Sequence, residues 1–226
     1  MNLHAWNNMV ESAEDLDLDS FKVQQELNSK FWDTENMLLK PDILHKLVKI
    51  ASTFFNDLGL SVKIDDITLT GSSANFNWSK YSDLDLHILV NYSKVDENID
   101  LVGEYFRGKT SAWNKNHDIM IKGHEVEIYV QNTEEKHISS GVYSLMRNEW
   151  VVKPSKSDPK IDFQGVKNKA LRMMDAIDSI QELYDNKDYE DAHTLSELMR
   201  DKIKKCRQCG LERGGEYSTE NLAFKM

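Results

Sequence analysis

The sequence predicts an α+β fold, because two kinds of hydrophobic periodicity occupy different parts of the chain. Apolar residues recur at every second position over 84–90, which is typical of a half-buried strand. They recur at spacings of three and four over 43–58 and again beyond residue 162, which indicates amphipathic helices before and after the strands. The 226 residues are 40% hydrophobic and 29% charged, a composition typical of soluble globular proteins.

The N-terminal third is predicted to hold an arm and two helices. Residues 1–20 are acidic and are expected to form a mobile or loosely docked N-terminal arm. Residues 21–39 carry apolar side chains at loose helical spacing and are predicted to be helical. The next helix is expected to start at Pro41, which suits a first helical position, and to stop at Gly59.

The middle of the chain is predicted to form short strands. Residues 67–70 alternate and lead into Gly71, and residues 84–90 form the clearest strand. Residues 119–130 are predicted to form a hairpin that turns near Gly123. A helix is expected around residues 99–106, between these strands.

Beyond residue 162 the chain is predicted to be helical again. Two apolar stripes indicate a helical hairpin that turns at residues 186–188. Gly210 is expected to end the second helix, and Ser218 is expected to cap a last short one.

Charge and composition narrow the functional classes. There are 28 Lys and Arg against 38 Asp and Glu, for a formal net charge of −10, which disfavours a long nucleic acid as partner. No apolar run approaches the ~18 residues needed to cross a bilayer, and no signal peptide is evident at the start. Two cysteines, Cys206 and Cys209, make no disulfide framework, so a cytoplasmic location is expected.

Two carboxylates at the start of the clearest strand indicate a metal site. Asp83 and Asp85 are two residues apart, so on a strand they share one face while Leu84 and Leu86 face the core. Such close carboxylates repel each other unless cations are present. A pair of divalent ions ~4 Å apart, held by such groups, serves in-line attack at phosphorus.

A third carboxylate and a phosphate loop would complete this site. Glu127 is flanked by apolar residues within a predicted strand, and Glu125, nearer the turn, is the alternative. Gly71 permits close approach of the backbone to a phosphate, and Ser72 adds a hydroxyl donor. Hard oxygen ligands favour Mg²⁺ or Mn²⁺ over Zn²⁺.

This pattern resembles the nucleotidyltransferase superfamily typified by DNA polymerase beta. The signature is Gly-Ser after a hydrophobic residue, a gap of about ten residues, Asp-hydrophobic-Asp-hydrophobic, and a later carboxylate between hydrophobic residues. Here these elements are Thr70-Gly71-Ser72, Asp83-Leu84-Asp85-Leu86 and Val126-Glu127-Ile128.

The resemblance implies a polymerase-beta-like core with a mixed sheet and flanking helices, spanning residues 21–155, followed by a helical region over 156–226. It implies transfer of a nucleoside monophosphate from an NTP, with ATP the expected donor, and release of pyrophosphate. Asp83, Asp85 and Glu127 would be the catalytic, metal-binding carboxylates. The residues implied in nucleotide binding are Gly71, Ser72 and Ser73.

Several alternatives stay open. Asn75-Phe76 follows Ala74 where small stand-alone members often have Arg-Gly, which leaves the acceptor undefined. The chain could instead be a binding or regulatory module of the toxin–antitoxin type with a protein partner, or an oligonucleotide second-messenger synthase. His87 is interpreted as a hydrogen-bonded strand residue and His124 as a surface residue. Tyr81, in the loop before Asp83, could stack on a base.

Overall fold

A six-stranded mixed sheet organises the first two thirds of this computed structural model. Its strands are β3 (Asp66–Thr70), β4 (Leu84–Val90), β5 (Met120–Ile121), β6 (His124–Asn132), β7 (Val142–Ser144) and β8 (Glu149–Val152). Their order in the sheet is β5-β6-β4-β3-β7-β8. The central strands β4 and β6 are parallel, and every other neighbouring pair is antiparallel. The predicted α+β class with a mixed sheet and flanking helices is therefore confirmed.

Two helices cover one face of the sheet. The helices α1 (Pro41–Asp57) and α2 (Ile99–Asn116) belong to the same hydrophobic core as the apolar side chains of β4. The ring of Phe54 on α1 meets Trp113 on α2 edge-on, with centroids 5.3 Å apart. Because β4 alternates, its core-facing residues are fully buried and Asp85 and His87 lie on the opposite face. The helices thus leave the polar face of the sheet for other contacts.

The structure describes residues 21–135, 139–156 and 159–226, so the predicted arm over residues 1–20 lies outside the described residues. Two compact units are present, one spanning Ser20–Ser157 and another that includes Asp158–Met226. No helix among the described residues is long and apolar enough to cross a membrane.

The prediction of a helix over residues 21–39 is wrong. This segment is irregular and contains a short antiparallel pair, β1 (Trp32–Asp33) with β2 (Leu38–Leu39). Its large side chains do not form one stripe: Phe31, Trp32 and Leu39 are all buried in the sheet unit's core. The Trp32 ring stacks on Trp150 at 4.8 Å. Tertiary burial on several sides outweighs the weak local helical spacing.

The last third of the chain is helical. The helices α3 (Phe163–Asp185) and α4 (Tyr189–Gly214) are joined at residues 186–188, where the turn was predicted. The short α5 (Thr219–Phe224) follows, and the Ser218 hydroxyl accepts a hydrogen bond from the Asn221 backbone N–H at 3.4 Å. That contact is the cap expected of Ser218.

The prediction that Gly210 ends α4 is wrong. The helix continues to Gly214, and Gly215 adopts a positive φ of 67° after it. Gly210 is buried where α5 crosses, and a Cβ there would lie 2.5 Å from the Glu220 Cβ. The glycine therefore permits close helix packing rather than helix termination.

Buried Tyr92 makes the free energy of unfolding depend on pH in the alkaline range. Its hydroxyl donates to the Val130 carbonyl at 2.9 Å, and burial, with the nearby Glu135 charge, raises its pKa to about 12. Tyrosine in an unfolded chain ionises near pH 10. Above that pH the unfolded chain releases a proton that the folded protein keeps, so the free energy of unfolding falls as pH rises to about 12.

We expect Tyr92→Phe to remove about 1.4 kcal/mol of this alkaline loss at pH 11, one pH unit above the pKa of tyrosine in the unfolded chain. Urea unfolding of the variant and the wild type at neutral pH and near pH 11 measures the difference. Tyr81→Phe is the control, because the Tyr81 side chain is 70% exposed. An equal alkaline loss in Tyr92→Phe and wild type would contradict the assignment.

Candidate active site

The predicted site residues come together where β3, β4 and β6 lie side by side. Asp85 on β4 is opposite Thr70, the last residue of β3, and opposite Glu127 on β6. Asp83 directly precedes β4, and Gly71 directly follows β3. The three sequence elements therefore meet at one end of the central strands, on the face opposite α1 and α2.

Gly71 lies directly against Asp85. A Cβ built on Gly71 would lie 1.8 Å from the Asp85 Oδ2, and the glycine has a positive φ of 72°. An L side chain there would clash with the carboxylate and would strain the backbone. The glycine is thus required by contact with an acidic side chain as well as by the turn itself.

Ser72 and Ser73 lie in a single 3₁₀ turn over Ser72–Ala74. The Ser72 hydroxyl donates to the Ser82 hydroxyl at 2.8 Å. The fully buried Ser73 hydroxyl donates to the Asp83 carbonyl at 2.5 Å. The Trp32 indole N–H donates to the Ser73 carbonyl at 2.8 Å. These bonds tie the turn after β3 to the backbone that carries Asp83.

The third carboxylate has a hydroxyl partner within the same strand. Glu127 accepts a short hydrogen bond from the hydroxyl of Tyr129, two residues further along β6. The Tyr129 ring in turn stacks on His87, with centroids 5.0 Å apart. Alternation along β6 gave a signal for Tyr129, because it shares a face with Glu127.

The carboxylates raise the pKa values of two neighbouring side chains, those of Tyr129 and Glu125. Burial raises the pKa of Tyr129, and the negative charges of Glu127, Asp85 and Asp83 raise it further. Burial also raises the pKa of Glu125, followed by the charges of Asp83 and Glu127. Glu125, the alternative third carboxylate, therefore lies in the same negative field.

The two strand histidines have different roles. His87 forms a 3.1 Å hydrogen bond with the Gln131 side chain, so it has a partner on the neighbouring strand, in keeping with the interpretation from sequence. His124 is not a surface residue as predicted, because only 3% of it is exposed. Its Nδ1 donates to the Ser82 carbonyl at 2.6 Å, and its Nε2 accepts from the Lys30 Nζ at 3.3 Å.

His124→Phe should therefore destabilise the sheet unit by about 1–3 kcal/mol, since the Ser82 carbonyl loses the His124 donor and Lys30 keeps only the Lys122 carbonyl as acceptor. The free energy of unfolding in urea measures this loss. His45→Phe, at an exposed position on α1, is expected to change it by less than about 0.5 kcal/mol. Similar values for the two variants would contradict a supporting role of His124.

The donor atoms at this end of β4 suit a hard divalent cation. They are carboxylate oxygens, which Mg²⁺ and Mn²⁺ prefer as ligands. Among the residues that the structure describes, no group of three or more His, Cys, Asp or Glu side chains is already arranged to hold a metal ion.

Comparison with known proteins gives no significant match to a family model, a curated protein or a solved structure.

Proposed function

We propose that this chain is a divalent-metal-dependent nucleotidyltransferase that uses Mg²⁺ or Mn²⁺. It would transfer a nucleoside monophosphate from an NTP, with ATP the expected donor, to an acceptor. The observation that carries the proposal is the register of β3, β4 and β6. It brings the Gly71 turn, Asp85 and Glu127 to the same end of the sheet from three separate parts of the chain.

The glycine–serine turn supports a donor site. The backbone at Gly71 carries no side chain, so the Asp85 carboxylate lies directly against the turn that would hold the phosphates. The Ser72 hydroxyl is half-exposed, and its bond to Ser82 orients it. Ser73 is buried, and its side chain would act by holding the turn against Asp83. Phosphates are commonly bound by such combinations of backbone N–H groups and hydroxyls.

The three carboxylates share one task in the proposed reaction, and Glu127 has a second. Asp83, Asp85 and Glu127 would hold the metal, which supplies charge neutralisation at the phosphates when it is bound. Glu127 already accepts a hydrogen bond from a hydroxyl, that of Tyr129, so an acceptor hydroxyl could take the same place. The acceptor oxygen would bond to the α-phosphorus as the bond to the β-phosphate oxygen breaks. Pyrophosphate leaves, and the acceptor proton passes to Glu127 or to water.

Transfer of label from α-³²P-labelled NTPs tests this proposal. The protein is incubated with each NTP, Mg²⁺ and separate pools of small molecules, proteins and RNA. Metal-dependent labelling of one pool, lost in Glu127→Gln, would support the proposal and identify the acceptor class. Labelled oligonucleotides formed from NTPs alone would indicate the second-messenger synthase instead. Failure to turn over any NTP, with a stoichiometric protein partner co-purifying, would favour the regulatory module.

A further inference from the structure

The helical unit carries an open apolar groove with a basic rim. The groove has a volume of about 600 Å³ and lies between α3, α4 and α5. We call it the α3–α4 groove. Its apolar lining consists of Ile177, Ile180, Met199, Ile203, Leu211 and Phe224. Three cations from α4 also line it, namely Arg200, Lys204 and Arg207.

Three of the six apolar side chains that line the groove are exposed to solvent. Ile177 is 52% exposed, Phe224 is 44% exposed and Leu211 is 38% exposed. Apolar surface that is concave and bordered by charges is typical of sites that bind another chain segment. A segment with apolar side chains and negative charge would therefore complement the groove.

The rim cations differ in their local partners. Arg207 donates to the Asn221 side chain at 3.1 Å and lies 4.5 Å from the Phe224 ring centroid. Arg200 has an exposed contact with Glu197 at 3.4 Å. Among the described residues, Lys204 has no ion-pair partner within 4.0 Å. Lys204 can thus meet an acidic ligand without giving up an existing ion pair.

Residues 1–19 have the complementary chemistry. Their first half supplies apolar side chains, at Leu3, Trp6, Met9 and Val10. Their second half is acidic, at Glu11, Glu14, Asp15, Asp17 and Asp19. An extended segment of this length can reach about 60 Å from residue 20. Apolar area and opposite charge together favour association within one chain, where the effective concentration is high.

We propose that residues 1–19 bind in the α3–α4 groove, with their apolar half on its floor and their acidic half at the Arg200–Lys204 rim. This proposal concerns the helical unit and does not depend on the nucleotidyltransferase assignment.

Hydrogen–deuterium exchange of the full-length protein tests the proposal. The reference is a synthetic peptide of residues 1–19 free in solution. We expect backbone amides of residues 1–19 to exchange at least about tenfold more slowly in the protein than in the peptide. Lys204→Glu should return them toward the free rate, and higher salt should act in the same direction. Lys205→Glu is the matched control, because Lys205 lies beside Lys204 but does not line the groove.

A second pair of variants tests the apolar floor. Leu211→Asp should release residues 1–19, whereas Leu198→Asp, which is 61% exposed and outside the groove, should not. Exchange of residues 1–19 at the free-peptide rate in the wild type would overturn the proposal. Slow exchange that neither Lys204→Glu nor Leu211→Asp alters would also overturn it, since the segment would then bind elsewhere. Concentration-dependent protection of the groove alone would identify a second copy as the occupant and reject residues 1–19.

Discussion

Asp85→Asn is expected to lower nucleotidyl transfer by about a thousandfold or more while leaving the protein folded. Asp85 is the only predicted catalytic residue that lies between both partner strands, opposite Thr70 and opposite Glu127. Replacing its carboxylate by an amide removes one negative charge from the cluster that would hold the divalent cation in the proposed reaction, an effect worth several kcal/mol at such sites. The rate of label transfer from an α-labelled NTP measures the loss.

The same substitution should change the free energy of unfolding by no more than about 1 kcal/mol, because carboxylates that share a site repel one another without a cation. Asp57→Asn, at an exposed carboxylate at the end of α1, is the control and should alter neither quantity. Unchanged transfer by Asp85→Asn, or a loss of transfer explained by unfolding, would contradict the assigned role.

Gly71→Ala is expected to lower the rate of nucleotidyl transfer by at least about a hundredfold. The free energy of unfolding should fall by only about 1–2 kcal/mol, which is the usual cost of backbone strain. The new Cβ would start 1.8 Å from the Asp85 Oδ2, so the flexible carboxylate must move away. A displacement on the order of 1 Å is enough to disturb a site that depends on positioning. Label transfer and urea unfolding on the same preparations measure the two effects.

Gly59→Ala is the control that separates the effect of backbone strain from the effect of displacing the Asp85 carboxylate. Gly59 has a similar positive φ of 64°, but a Cβ there would meet nothing within 4 Å. We expect it to lose about 1 kcal/mol of stability and no activity. If Gly71→Ala and Gly59→Ala behaved alike in transfer, close contact between Gly71 and Asp85 would not matter for the site.

The strands of the site follow from local pattern. The alternation over 84–90 predicted β4 correctly, with Asp85 on the face opposite the core, because a period of two determines which side chains share a face. The hairpin turn near Gly123 was also visible, since β5 and β6 are close in sequence and their pairing is local. Local chemistry was sufficient for these elements.

The hydrophobic pattern does not predict which strands pair when they are far apart in the sequence. The register that sets Asp85 opposite Glu127 joins two parallel strands through the intervening helix α2, and periodicity carries no information on it. His124 was misjudged for the same reason, because its partners Ser82 and Lys30 are 42 and 94 residues away. The helix prediction for residues 21–39 is wrong because Phe31 and Trp32 are buried by residues that are distant in sequence rather than by a neighbouring turn of helix.

The proposed function requires that the carboxylates and the Gly71 turn together form a metal-dependent site for an NTP. Thermal unfolding with each of the four NTPs, with and without Mg²⁺, in the wild type and in Asp85→Asn, tests it without knowledge of the acceptor. A ligand at a hundred times its dissociation constant adds about 2.7 kcal/mol to the free energy of unfolding. We predict a Mg²⁺-dependent rise in Tm, largest with ATP, that Asp85→Asn loses and Asp57→Asn keeps. No rise with any NTP in the folded wild type, or an equal rise in Asp85→Asn, would contradict the claim.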